Sequence, residues 1–248
     1  MRYFTSDFHF GSAVLLDKKA MGTKAREFKS LDDMHAAVMK ACGRLKPEDT
    51  LFHLGDFACV GNDRGYAGLD SRKNAIDFLN RIKCNKILIA GNHDENNGVP
   101  TACDFSIVRL GKWTASVQHY PSTDERSRLP HLMNTRFQIN LCGHVHKWWK
   151  AMYDRYHQNA VLNINVGLDM NGFELYSEPE LVNLIQRAVD WVKSGARESF
   201  AKYEAALAKK KAAQSHEQRL KSYAWLRDNK PELLTPEKHK WLEENEGK

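Results

Sequence analysis

Short apolar runs alternate with polar, glycine-containing breaks along this chain, and many of the runs end in the same few residue types. Ile87-Leu88-Ile89-Ala90 has the length of a strand buried on both faces, although periodicity alone also admits a buried helix segment. It stops at Gly91, and Asn92, His93 and Asp94 follow. The arrangement recurs. Met1 to Ser6 leads into Asp7-Phe8-His9, residues 50–54 into Gly55-Asp56, residues 113–118 into His119-Tyr120-Pro121, and residues 137–142 into Gly143-His144-Val145-His146. The pattern predicts a strand at each of these five places, and further strands at 105–110 and 161–166.

Helical periodicity fills some of the gaps. Ser30 with Asp33 three residues on is a capping-box variant. Met34, Val38 and Leu45 mark an apolar face, so a helix is predicted from 31 to about 45, stopped by Pro47. Ser71 would cap a second helix with Ile76, Leu79 and Ile82 inward. Strand and helix alternate up to residue 94, which is an α/β signature. From Phe105 onward strands follow one another with fewer helices between, predicting a second, more antiparallel sheet.

After Asn165-Val166-Gly167 the character changes. Ser177-Glu178-Pro179-Glu180 is a capping box. Leu181, Leu184, Ile185, Ala188 and Val192 fall on one face; Phe200, Tyr203 and Leu207 follow, then Leu220, Tyr223 and Leu226, and Thr235-Pro236 opens a last short helix. The expected organisation is a domain over 1–176 and a helical extension over 177–248. The apolar stripes of the extension need a partner, which could be the domain, each other, or a second copy in a homodimer. The extension has fourteen Lys and Arg against twelve Asp and Glu, a balance of +2 out of the total +6, so it is not a strongly basic arm.

The residues at the strand ends carry the chemistry. In open α/β sheets, sites form outside the carboxyl ends of strands. Asp7, His9, Asp56, Asn92, His119, His144 and His146 supply carboxylate, imidazole and amide oxygen, with no thiolate among them. That set suits Mn, Fe, Zn, Co or Ni and disfavours a closed structural zinc site. Seven ligands are too many for one four-coordinate ion and suit two ions sharing a bridging carboxylate. Two ions about 3.5–4 Å apart can clamp the oxygens of an in-line displacement at phosphorus.

The order Asp-x-His, Gly-Asp, Gly-Asn-His-Asp, His, Gly-His-x-His, spanning Asp7 to His146, resembles the calcineurin-like metallophosphoesterase superfamily. The resemblance implies a fold: two mixed β-sheets packed as a sandwich and flanked by helices. It implies two divalent cations, manganese first, one held by Asp7, His9 and His146, the other by Asn92, His119 and His144, with Asp56 bridging. A hydroxide bridging the ions would attack phosphorus. His93 would be no ligand but the general acid beside the leaving group, with Asp94 orienting and polarising it. The protein Ser/Thr phosphatases of the superfamily extend the second motif to Gly-Asp-x-x-Asp-Arg. Here Phe57-Ala58-Cys59-Val60-Gly61 follows, so the resemblance favours phosphodiesters over phosphoproteins. Alternatives are a nuclease or phosphatase that holds a nucleic-acid strand on the helical extension, and a non-catalytic scaffold on the same fold.

Composition adds limits. No apolar run approaches the roughly 18 residues of a membrane span, and the strand ending in Asp7 leaves no room for a signal peptide. Five cysteines without a C-x-x-C pair predict reduced thiols and a cytoplasmic protein. A pI near 9.0 is compatible with a small phosphate ester or a nucleotide as substrate. Other residues are weaker candidates. Gly11 to Lys29 reads as a loop over the site with room for a helical turn; its Lys18, Lys19, Lys24 and Arg26 could touch phosphate, and a solvated basic loop is an equal reading. Asn62, Asp63 and Arg64 could line the crevice, and Arg126, Arg128 and His131 could contact substrate. Trp148 and Trp149 could stack a base or pack, with packing favoured. His35 reads as surface or packing, and His53 as a core or supporting histidine.

Overall fold

The computed structural model describes residues 1–59, 72–94, 97–129, 137–156, 159–195 and 198–246. Ser71, Asn62, Asp63, Arg64 and His131, named above, lie outside them. The chain divides into two compact units, Met1–Ala196 and Arg197–Lys248, later than the expected division after residue 176.

Two mixed sheets form the first unit. One is ordered β3-β2-β1-β9, from β1 (Arg2–Thr5), β2 (Thr50–Leu54), β3 (Asn85–Ile89) and β9 (Tyr176–Ser177). β1, β2 and β3 run parallel, with Phe4 beside Phe52 and His53 beside Leu88, and β9 is antiparallel to β1. The other is ordered β4-β5-β6-β8-β7, from β4 (Phe105–Leu110), β5 (Trp113–Gln118), β6 (Phe137–Cys142), β7 (Ala151–Tyr156) and β8 (Asn159–Asn165). Here β5, β6 and β8 are parallel, and β4 and β7 are antiparallel flanks. Parallel strands put their carboxyl ends at one edge. Backbone hydrogen bonds tie those edges together: Asp7 N–H donates to Gly55 C=O, Gly143 N–H to His119 C=O, and Leu168 N–H to Ser6 C=O.

Helices cover the sheets. The stretch after His9 carries more than the one helical turn expected: 3-10 turns at Ala13–Leu16 and Gly22–Lys24 flank the short α1 (Lys18–Met21). α2 (Leu31–Cys42) is capped by the Ser30 hydroxyl, which accepts from Asp33 N–H. α3 spans Arg72–Arg81. Val38 and Ala41 from α2 and Leu79 from α3 share a core with Phe8, Phe10, Leu51, Phe57 and Leu88. α4 (Glu178–Lys193) begins at the Ser177–Glu180 capping box and buries Leu181, Leu184, Ile185, Ala188, Val189 and Trp191. It contacts β1, β8 and β9. That packing, together with the pairing of β9 with β1, is why the first unit includes a helix that the sequence pattern groups with the tail. Val192, expected on the buried face, is only half-buried.

The second unit contains α5 (Phe200–Asn229), a 3-10 turn at Pro231–Leu233 and α6 (Pro236–Asn245). Trp241 of α6 packs edge-on to Tyr223 and against His216, and Arg227 pairs with Glu246 at 2.6 Å. Residues 208–219 of α5 are exposed throughout. Among the described residues no helix is long and apolar enough to cross a membrane.

Candidate metal centre

All seven expected ligands sit on turns that leave the carboxyl ends of strands, and the backbone there is unusual. Asp7, His9, Asp56, His144 and His146 have φ between +49° and +70°. This left-handed conformation costs an L-residue roughly 1–2 kcal/mol. Asp and His tolerate it better than most. The glycines nearby are there for space. A Cβ at Gly91 would overlap the Asp56 carboxylate, and one at Gly143 would overlap the Ser6 hydroxyl and the Asp7 carboxylate.

The side chains converge. Asp7, His9 and His146 form one group of ligand atoms within 4.8 Å of one another, and Asp56, His119 and His144 form another. Asn92 joins the second through its Oδ1, 3.1 Å from His119 Nε2. Asp56 faces both groups: its Oδ2 is 3.5 Å from His9 Nε2 and 3.3 Å from His119 Nε2. His9 Nε2 is also 3.5 Å from Asp7 Oδ1 and, though buried, has no hydrogen-bond partner.

Electrostatics follow from this crowding. Burial alone would raise the Asp7 carboxyl, but the His9, His119 and His146 rings hold it well below the usual carboxylate range. Asp56 is lowered in the same way, burial being outweighed by His119 and His9. Burial opposes a charge on His119, yet Asp56, Asp7 and the Leu54 carbonyl push its pKa up to about 9. His144 is pushed down to about 4 by burial and by His119. His9 is lowered, chiefly by burial. The rings divide the work of charge balance among themselves in a way that a cation would take over.

The family model described as the calcineurin-like phosphoesterase superfamily domain matches residues 4–170. The chain belongs to the calcineurin-like phosphoesterase superfamily. No curated protein matches the chain. Among solved structures it is similar to a protein of unknown function from Aquifex aeolicus, with 24% identity over 74% of this chain and 98% of that one and a TM-score of 0.50. It is also similar to the phosphoesterase YfcE from E. coli (18% identity, 66% and 77% covered, TM-score 0.37). A Vps29 single mutant from Entamoeba histolytica aligns at 14% identity (65% and 72% covered, TM-score 0.31). Superfamily membership supports a metal-dependent phosphoesterase in general, and the two mixed sheets flanked by helices are its fold.

Around these candidate ligands, supporting residues appear that the motifs do not announce. Asp169 Oδ2 lies 2.8 Å from His146 Nδ1, and its Oδ1 pairs at 2.7 Å with Arg26. Burial works against the Asp169 charge, but Arg26 and His146 hold its carboxyl below the ordinary value. Arg26 is one of four basic residues that the sequence offers either to phosphate or to solvent. It is instead 1% exposed and donates to the Asp7 and Phe8 carbonyls, so it clamps the first ligand loop from behind. His119 Nδ1 donates to the Leu54 carbonyl, and His9 Nδ1 lies 3.2 Å from Cys59 Sγ. Asn165 donates to the His146 and Trp149 carbonyls and accepts from Gly167 N–H. His35 is buried, accepting from Gly11 N–H. His53 is fully buried against Phe8 and Phe57, with neither ring nitrogen bonded.

One expected role changes. Asp94 does not reach His93. Its carboxylate accepts from the backbone N–H groups of Asp56, Phe57 and Gly91 and from Asn97 Nδ2. With these four donors it locks the Asp56 loop to the Asn92 loop. His93 is placed by its own N–H, which donates to Asp56 Oδ1 at 2.9 Å.

Toward solvent, Arg126 is gripped by Asp124 through two bonds of 2.8 and 2.7 Å and lies over the Tyr120 ring at 4.2 Å. Its Nη2 is 3.2 Å from His144 Nε2. Arg128 is turned to Asp104 at the surface. Packing was the favoured reading for both tryptophans, but Trp148 is 65% exposed and Trp149 half-buried.

Proposed function

We propose that the chain is a dinuclear metal-dependent phosphoesterase that favours phosphodiesters, with a small phosphate ester or nucleotide as substrate. The observation that carries the reading is Asp56 Oδ2, set between the imidazoles of two separate ligand groups. The donors fit the ions. His9 Nε2 is a buried nitrogen without a partner, 3.5 Å from oxygens of both Asp7 and Asp56. That spacing is too long for a hydrogen bond, but a cation bonding each atom at about 2.0–2.2 Å would fill it.

Asp7, His9 and His146 would hold one cation and Asn92, His119 and His144 the other, with Asp56 touching both; manganese is the first choice. Bound divalent cations supply Lewis acidity to phosphoryl oxygens and lower the pKa of water. The chain supplies the rest. Asp169 accepts from His146 Nδ1–H and the Leu54 carbonyl from His119 Nδ1–H, which leaves each Nε2 lone pair facing the centre. His93 holds a proton at the oxygen of the leaving alcohol. Arg126, already immobilised by Asp124 and Tyr120, holds a non-bridging phosphoryl oxygen without an ordering cost.

The test is Asp56→Asn. It is expected to lower retention of both ions together, read by elemental analysis after gel filtration, and to take hydrolysis of bis(4-nitrophenyl) phosphate close to background. A variant that keeps both ions removes the shared ligand and the reading with it. In the unaltered protein, bis(4-nitrophenyl) phosphate is expected to turn over faster than 4-nitrophenyl phosphate.

A further inference from the structure

Two cavities reach the centre, and consecutive residues separate them. Asn92 lines a cavity of about 900 Å³ and His93 a cavity of about 290 Å³. The larger is walled mainly by polar side chains, among them Thr101, Gln118, Tyr120, Glu125 and Arg126. The smaller is lined by His9, His93 and His146 and by Ser12, Val14, Leu15, Ala20 and Met21; the last four are delivered by the 3-10 turn at Ala13–Leu16 and by α1.

We propose that the site is sided: the small cavity beside His93 takes the leaving alcohol and selects one with an apolar body, while the large cavity takes the polar substituent that stays on phosphorus. The proposal rests on the phosphoesterase reading above, in which His93 serves the leaving oxygen. A proton donor must lie within hydrogen-bond reach of the oxygen it protonates. Of these two cavities, only the smaller has His93 in its wall. The leaving group must therefore enter there and meet Val14, Leu15, Ala20 and Met21. Size agrees. An apolar cavity of roughly 150 Å³ accepts benzene, so a ring-sized alcohol fits the smaller space. A cavity within the roughly 300–1,000 Å³ range of organic ligands suits a nucleoside. The apolar part of the wall belongs to the short helices that follow His9 rather than to the sheets.

The reaction balances simply. Water oxygen forms the new bond to phosphorus and loses a proton to solvent. The bond from phosphorus to the leaving oxygen breaks, the electron pair leaves with that oxygen, and the His93 proton neutralises it. Solvent then reprotonates His93.

The experiment uses an asymmetric diester, thymidine 5′-benzyl phosphate, whose two alcohols are comparably poor leaving groups. The manganese-loaded full chain is expected to give thymidine 5′-phosphate and benzyl alcohol in at least about tenfold excess over thymidine and benzyl phosphate, the discrimination a hydrophobic pocket provides. Equal or reversed products overturn the sidedness. Met21→Glu is expected to shrink the ratio of benzyl to methyl ester hydrolysis about tenfold with ion content intact; an unchanged ratio overturns it. In ion-free protein carrying labelled methionine methyls, benzyl alcohol is expected to shift the Met21 resonance where methanol does not, and a resonance that stays put overturns the assignment. If the loaded protein hydrolyses no diester at all, the phosphoesterase reading fails and the sidedness with it. If it hydrolyses them without preference, only the sidedness fails.

Discussion

The two halves of the centre are built in different ways. The half with Asp7, His9 and His146 is closed: its three side chains are 0–8% exposed and are held from behind. Arg26 grips the Asp7 loop and pairs with Asp169, which in turn holds His146. The half with Asn92, His119 and His144 is open. His119 is buried, but Asn92 is exposed and His144 is partly so, with Arg126 at its edge. Under the proposed reading, the closed half would fix its donor atoms before a cation arrives. The open half leaves room for substrate oxygens. In the proposed centre, donors fixed firmly on one side of Asp56 would leave the other side free to adjust to phosphoryl oxygens.

Four substitutions would break or sharpen this contrast. His93 lines the cavity on the closed side without belonging to either ligand group proposed above. His93→Ala is expected to lower turnover by about 10²–10⁴-fold with ion content unchanged, measured by steady-state kinetics and elemental analysis. Unchanged turnover would remove it from the chemistry. Asp169→Asn attacks the closed half from behind. It is expected to weaken ion binding about 10–100-fold in chelator competition, with the loss confined to one of the two ions. Uniform loss of both would erase the distinction between halves. Because Arg26 loses its buried partner, this variant should also unfold more easily. Arg126→Ala attacks the open half. Ion content should hold while KM rises about tenfold, the range of a lost hydrogen bond to a charged group. A fall in ion content instead would make Arg126 a support for His144.

The smallest effect lies behind both halves. Burial pushes the His53 pKa down to about 4, so the folded ring is neutral while an unfolded one titrates near 6.5. The folded state then carries no penalty above about pH 6.5 and loses stability as pH falls from there toward 4, by on the order of 3 kcal/mol at most. His53→Phe in ion-free protein should flatten that limb of urea midpoint against pH. An unchanged slope would assign the acid sensitivity to the ligand carboxylates.

Much of this was legible before any coordinates. The strand ends carried the donors in plain view, because parallel strands bring their carboxyl ends to one edge, and the runs at 50–54, 105–110, 113–118 and 137–142 match β2, β4, β5 and β6 in extent. The strand at 151–156 was missed, since Tyr153, Asp154 and Arg155 break its apolar pattern, and β9 is only two residues long. The supporting shell was hidden for a different reason. Asp169 lies 23 residues from His146, and no spacing rule links a ring nitrogen to the acid that a distant 3-10 turn returns to it. Arg26 sat in a run that reads as a basic loop, and nothing in its neighbours shows that it points inward. Asp94 stands beside His93, the proposed general acid, in sequence, but its carboxylate is claimed by backbone N–H groups.

The left-handed backbone at five of the seven donors limits what this site can become. If they hold the ions as proposed, those positions are filtered twice, once for an atom that binds a cation and once for a residue that accepts a positive φ. Asp, Asn and His pass both filters most readily; Glu and Cys pass the second at a greater cost. Drift toward a longer carboxylate or a thiolate centre would therefore require the turns to be rebuilt along with the side chains. Transplanting the seven letters onto another scaffold would fail unless the turns travelled with them.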